Sequence, residues 1–309
     1  MVDAAAIRDA AEGLRGVAVR TPLVFCEPLR VYLKLESLQP IGAFKIRGAY
    51  NAIRRLADSV RRHGVITYSS GNHGQAVAYA ARAFGARAVI VMPETAPAVK
   101  VDGVRRWGGE VQLAGRTSED RRRRAEEIAA REGLAVIPPF DHEDIVAGQG
   151  TLGLEIVEQL PEVETVVSPV GGGGLISGLV AGLAAAGSAA RVWGVEPEGA
   201  PKLTRSLAAG APVALERSAS IADGLITLTV GVIPFTVLRA HADRLAGVAL
   251  VTDDSIREAM HLLYRRCRLA VEPSGAATTA ALLAGAVAPS GPTVVVVSGG
   301  NVDPALLEP

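Results

Sequence analysis

The 309-residue chain carries no net charge, because 32 acidic residues balance 32 basic ones. No global field would draw it to nucleic acid or to an anionic membrane, and neither is expected as a partner. The densest basic run, "EDRRRRAEE" at 119–127, is bracketed by acids and reads as a solvated helix face. Two cysteines, Cys26 and Cys267, are too few for a disulfide framework and lack the CxxC spacing of a metal site. Long apolar runs are also missing. The most apolar stretch, "GLISGLVAGLAAAGSAA" at 174–190, is rich in Gly and Ala and falls short of a membrane span, so a buried helix is expected. The N-terminal "MVDAAAIRDAAEGLRG" reads as a charged amphipathic helix rather than a signal peptide, which makes a cytoplasmic location the expectation.

What the chain does have is alternation. Short β-branched runs at 64–70, 86–93, 110–115 and 134–139 read as buried strands, separated by helical patterns near 73–83, 97–107 and 117–132. A second series of strands follows at 164–170, 190–197, 247–252 and 293–300. This pattern predicts an α/β fold with mostly parallel sheets covered by helices. In such folds ligands bind beyond the carboxyl ends of the strands, so the strand-to-helix turns are the informative places.

Three of those turns are unusual. "SPVGGGGLISG" holds four consecutive glycines at a helix start, where free amides suit a phosphate. It matches neither G-x-G-x-x-G in full nor the Walker pattern, since position 177 is Ser and no GKS/T follows. "SSGNHGQ" at 69–75 either caps a helix or offers amides to a carboxylate. "VVVVSGGN" sets Ser298 at the end of a fully apolar strand.

Lysine is scarce. Against 28 arginines stand only Lys34, Lys45, Lys100 and Lys202. Lys45 lies between Phe44 and Ile46, where desolvation would lower its pKa and free an amine for covalent chemistry. Lys34 alternates with Leu33 and Leu35, as a strand residue with its head in water would. Lys100 and Lys202 have polar sequence neighbours.

Taken in order, "GAFKIRGA", "SSGNHGQ", "GGGGL", "IADG" and "SGGN" resemble the fold-type II pyridoxal-phosphate enzymes, and within them the serine/threonine dehydratases and serine racemases. The likeness runs from "RTPL" to "SGGNVD" and includes "PPFDHEDIVAGQGTLGLE" at 138–155. It implies a two-domain architecture like the tryptophan synthase β subunit. Residues 1–52 and 143–309 would form the large cofactor domain and 53–142 the small substrate-carboxylate domain. A homodimer is the family expectation.

The resemblance also implies roles. Lys45 would hold pyridoxal 5'-phosphate as a Schiff base and act as the base at Cα. Phe44 would pack on the ring, and Asn72 would bond its hydroxyl. The amides of Gly171, Gly172, Gly173, Gly174 and Leu175 would hold the phosphate. Gly224 and Glu272 would line the ring, and Ser298 would face its nitrogen. Ser69, Ser70, Asn72 and His73 would grip the substrate carboxylate, with Phe140 in the specificity pocket.

The implied reaction is β-elimination from L-threonine or L-serine, giving 2-oxobutyrate or pyruvate and ammonia. The alternative is a serine racemase with side dehydratase activity, in which Ser70 is the second acid–base group. Other β-hydroxy amino acids, namely 3-hydroxyaspartate, phenylserine or a hydroxyectoine-derived substrate, share the reacting unit. A β-replacement enzyme of this fold is disfavoured by "PPFDHEDIVAGQGT", and a non-catalytic binding module by the intact Lys45 and glycines. Relatives often bind a divalent cation through the "EP" glutamate and an acid six residues later. Here Lys202 occupies the acid's position, so no metal is expected, and Lys202 should pair with Glu196 or Glu198. Because the chain stops at "NVDPALLEP", no regulatory domain and no isoleucine feedback are expected.

Overall fold

The computed structural model describes residues 2–69, 71–96, 98–115 and 117–307. Its strands are Leu23–Cys26 (β1), Val31–Leu35 (β2), Val65–Tyr68 (β3), Ala88–Met92 (β4), Glu110–Leu113 (β5), Ala135–Val136 (β6), Thr165–Pro169 (β7), Arg191–Pro197 (β8), Leu245–Val251 (β9) and Thr293–Val297 (β10). The helices are Ala4–Gly13 (α1), Ile46–Arg54 (α2), Asp58–His63 (α3), Asn72–Ala83 (α4), Ala98–Arg106 (α5) and Ser118–Glu132 (α6). Glu143–Gln159 (α7), Gly174–Ala185 (α8), Lys202–Ala209 (α9), Val232–Ala240 (α10), Asp253–Cys267 (α11) and Pro273–Leu283 (α12) complete the set.

Two sheets result. The larger runs β1-β2-β10-β7-β8-β9 and the smaller β5-β4-β3-β6. Every neighbouring pair is parallel except β1 with β2. All four strands of the smaller sheet fall between residues 53 and 142, and all six of the larger lie outside that span.

Alternation along β10 divides its valines between two cores. Val295 and Val297 pack with α11 and α12, while Val294 and Val296 pack with α8 and α10. Sequence periodicity located eight of the ten strands, and the alternation around Lys34 read β2, but β1, a four-residue strand in the five residues between Pro22 and Pro28, was missed. The strand expected at 134–139 shrinks to β6, because Pro138 and Pro139 have no N–H to extend the ladder.

Residues 174–185 of the apolar 174–190 stretch form α8, a buried helix packed on α7. A Cβ on Gly182 would lie 2.0 Å from the Gly150 carbonyl, so only glycine permits this approach. Among the described residues no helix is long and apolar enough to cross a membrane.

Lys34 departs from the sequence reading. Its side chain is fully buried, and its ammonium donates to Glu155 at 2.7 Å, the Thr21 carbonyl at 2.8 Å and Gln159 at 2.8 Å. It joins a network centred on Arg47, whose guanidinium binds both oxygens of buried Glu36 at 2.8 Å and both oxygens of Glu155 at 2.7 and 2.9 Å. Arg47 sits in the first turn of α2, so this network fixes the end of the helix that carries Lys45.

Burial opposes ionisation of Glu36, but Arg47, with Lys34 behind it, overcomes that and holds the carboxyl below its ordinary range. A depressed carboxylate stabilises the fold above its unfolded pKa and loses that contribution as acid protonates it. Arg47→Met should therefore lower stability by about 3–5 kcal/mol at neutral pH, because it strands a buried carboxylate. Urea denaturation measures this; a loss below ~1 kcal/mol would show that the network does not anchor α2.

Candidate active site

The carboxyl end of β10 docks onto the segment that leads into α2. Gly299 bridges Ala43, the Phe44 amide donates to the Ser298 carbonyl at 3.1 Å, and the Gly300 amide donates to the Gly42 carbonyl at 2.9 Å. Asn301 donates from its amide group to the Ile41 carbonyl at 2.9 Å. These ties set Lys45 beside Ser298. Lys45 keeps some surface open to the cleft, yet its surroundings are dense enough that desolvation alone pulls its pKa from 10.5 to about 8. Its Nζ donates to the Pro139 carbonyl at 2.8 Å and lies 5.3 Å from the centre of the Phe44 ring.

The other three lysines all meet carboxylates. Lys34 pairs with Glu155, Lys100 with Asp223, and Lys202 with Glu196. Lys202 is fully buried: its ammonium donates to Glu196 at 3.1 Å and to the Val170 and Ala200 carbonyls at 2.8 and 3.1 Å. Glu196, not Glu198, is therefore its partner. Among the described residues, Lys45 alone of the four has no acid beside it.

Around Lys45 the turns converge. Asn72, the first residue of α4, donates to Glu272 Oε1 at 2.5 Å and accepts from Asn301 at 2.8 Å. Glu272 caps α12, and its amide donates to the Gly299 carbonyl at 3.2 Å. Burial and the charge of Asp223 raise its pKa to about 7, against the opposing pull of Lys100 and Asn72. Ser274 accepts from the Gly224 amide at 2.9 Å, and the Gly224 carbonyl abuts Gly171.

The glycine loop opens α8. Gly173 adopts a left-handed φ of 91°, and the amides that follow have no acceptor within the helix. Leu175 buries its side chain in the core and can offer only its N–H. Phe140 stacks directly on the loop, since a Cβ on Gly172 would fall 2.2 Å from its ring.

On the turn between β3 and α4, Ser69 accepts from the Gly71 amide at 3.1 Å. Ser70 lies outside the described residues. His73 is buried and neutral: burial, then the charge of Lys45, lowers its pKa to about 3. Its Nε2–H donates to the Ile137 carbonyl at 3.1 Å, which ties α4 to the strand end after β6. The imidazole therefore carries no positive charge, and its Nδ1 is buried without a hydrogen-bond partner among the described residues.

Two residues of this site escaped sequence reasoning. Lys100 packs over Gly71, with its Cδ 3.0 Å from where a Cβ would stand, and pairs with Asp223 across the cleft. Asp223 directly precedes Gly224 in "IADG", and Lys100 is one of only four lysines. Rarity and adjacency were the available signals, but neither indicates that the two meet.

An amine with no counter-ion, a loop of free amides at a helix start, and buried hydroxyl, amide and carboxyl groups between them fit an aldehyde bearing a phosphate and a heteroaromatic ring. The sequence pattern of the family described as pyridoxal-phosphate dependent enzyme matches residues 14–299. The chain belongs to this family. It is 37% identical to L-threonine ammonia-lyase of Thermotoga maritima over 98% of this chain and 76% of that one. It is 36% identical to L-threo-3-hydroxyaspartate ammonia-lyase of Saccharomyces cerevisiae over 96% of this chain and 92% of that one. The structure of maize serine racemase superposes with a TM-score of 0.94 at 37% identity, covering 99% and 95% of the two chains. The protein is a fold-type II pyridoxal-phosphate enzyme of the ammonia-lyase and racemase group.

Two measurements probe this pyridoxal-phosphate site. Gly172→Ala should weaken pyridoxal 5'-phosphate binding at least tenfold, read by absorbance titration of cofactor-free protein, because the new methyl displaces Phe140 or the loop. Unchanged affinity would show that the loop can give way. For Glu272, the folded pKa of about 7 exceeds the ordinary 4.5, so its contribution is present below pH 4.5 and is lost as pH rises towards 7. Glu272→Gln should remove a stability loss on the order of 2 kcal/mol between pH 5 and 7.5 in cofactor-free protein, measured by denaturation across pH. Parallel profiles for the two proteins would contradict a protonated buried Glu272.

Proposed function

We propose that this chain is an ammonia-lyase that eliminates water from L-threonine, and from L-serine, to release ammonia and a 2-oxo acid. One observation carries the reading: among the described residues Lys45 is the one lysine that meets no carboxylate, and its pKa of about 8 leaves a substantial neutral fraction near physiological pH. A neutral amine enclosed in the cleft can both hold the cofactor and, once the substrate amine has replaced it, accept the Cα proton at Nζ.

Pyridoxal 5'-phosphate, when bound, supplies the electron sink for the charge left at Cα. The chain's own residues do the rest. Amides of the 171–175 loop hold the phosphate, and Phe44, Asn72, Gly224 and Glu272 orient the ring. The first amides of α4, with Ser69, take the substrate carboxylate at the positive end of that helix. In this arrangement residues 1–52 and 143–309 act as the cofactor domain, and 53–142 as the substrate-carboxylate domain.

Ser298 supports elimination over transamination. It is buried beside the Lys45 segment, and a hydroxyl cannot keep a ring nitrogen protonated as a carboxylate would. Pyridoxal 5'-phosphate held against Ser298 would be a weaker electron sink, which would favour elimination over transamination. The second reading is serine racemase, supported by the likeness to the maize enzyme and by the second serine of "SSGN", Ser70.

A substrate panel separates the readings. The holoenzyme is given L-threonine, L-serine and L-threo-3-hydroxyaspartate, with 2-oxo acid release and serine chirality followed together. The lyase reading expects 2-oxobutyrate from threonine to outpace the other products, with D-serine negligible beside pyruvate. D-serine formed as fast as pyruvate would overturn it, and a faster hydroxyaspartate reaction would overturn the substrate assignment. Lys45→Ala should lower kcat by more than about 10⁴-fold, since anchor and base are lost together.

A further inference from the structure

Cys26 ends β1 and Cys267 ends α11. They are 241 positions apart, yet their sulfurs lie 3.2 Å from each other. Cys26 is buried in the core with Val31, Leu263 and Leu307, while Cys267 is partly exposed. Disulfide sulfurs stand about 2.05 Å apart, so a closure of roughly 1 Å would join them. The location gives the contact a consequence. After Cys267, Arg268 turns the chain through a left-handed φ of 61°, and the Leu269 amide closes back on the Leu263 carbonyl at 3.0 Å. Glu272, in the cofactor cleft, follows three residues later.

We infer that Cys26 and Cys267 form a reversible disulfide site, oxidised by a small-molecule disulfide such as oxidised glutathione, which braces the turn leading to Glu272 against the edge of the larger sheet. Cys267, the accessible partner, loses its proton and attacks one sulfur of the oxidant. The glutathione S–S bond breaks, and one glutathione thiolate leaves. Cys26, deprotonated in turn, attacks the Cys267 sulfur and expels the second glutathione thiolate, completing the protein disulfide. Two cysteine thiols are oxidised, one glutathione disulfide is reduced to two thiols, and the two cysteine protons end on them. Burial and the hydrogen bond with Cys26 push the Cys267 thiol up to about 12. Thiolate is therefore scarce, and the pair stays reduced in a reducing compartment until oxidant persists.

The test uses the holoenzyme equilibrated with excess oxidised glutathione, alkylated and mapped by mass spectrometry, with its melting temperature followed in parallel. The expected result is a Cys26–Cys267 linked peptide within one chain, no alkylation at either residue, and a melting temperature higher by about 5 °C or more, reversed by dithiothreitol. Cys26→Ser should show none of that rise. The inference is overturned if both thiols are alkylated after oxidation, if a glutathione adduct persists on Cys267, if the link forms between chains, or if wild type and Cys26→Ser shift equally.

Discussion

An ammonium held in a dense cleft without a counter-charge is the constraint on which the rest of this protein depends. Desolvation lowers the pKa of a lysine, and a nearby carboxylate restores it. At Lys34 and Lys202 burial is opposed by Glu155 and Glu196. At Lys45 no described residue opposes it, and the value settles at about 8. Such a group must be held in place by its surroundings, because left to itself it would turn towards water. Three attachments do this: the Pro139 carbonyl at Nζ, the Ser298–Asn301 segment docked on residues 41–44, and Arg47 locked between Glu36 and Glu155.

The same arrangement joins the two sheets. Asn72 belongs to α4, which follows β3 of the smaller sheet, whereas Glu272 and Asn301 adjoin strands of the larger one, and their hydrogen bonds link the two. Lys100 and Asp223 cross it a second time. The carboxyl ends of β3, β7 and β10 therefore converge on one place, as the ligand sites of parallel α/β sheets do. Glu272, raised to about 7 by burial and Asp223, adds a carboxyl whose charge state is poised near neutrality.

Much of this was legible in the sequence because it depends on local chemistry. Apolar neighbours marked Lys45, the run of glycines marked a backbone that must approach a ligand, and β-branched runs marked the strands. What was not legible depends on distant pairing. Lys34 reads as a solvent-facing strand residue until Glu155, 121 positions later, is packed against it. Lys100 and Asp223 are 123 positions apart, and the two cysteines 241. His73 illustrates a further limit. The family resemblance implied a role for it at the substrate, but the sequence does not show that its Nε2 reaches the Ile137 carbonyl or that burial keeps the ring neutral. Strand β1 was lost for a different reason, since the five residues between Pro22 and Pro28 give periodicity too little length to register.

The central claim is that one lysine out of four carries the cofactor. Reducing the purified holoenzyme with borohydride fixes pyridoxal phosphate to whichever amine holds it, and peptide mapping then reads the position. The account predicts a phosphopyridoxyl group on Lys45 alone. Label on Lys34, Lys100 or Lys202, or an unlabelled Lys45 in protein that retains its cofactor, would contradict it.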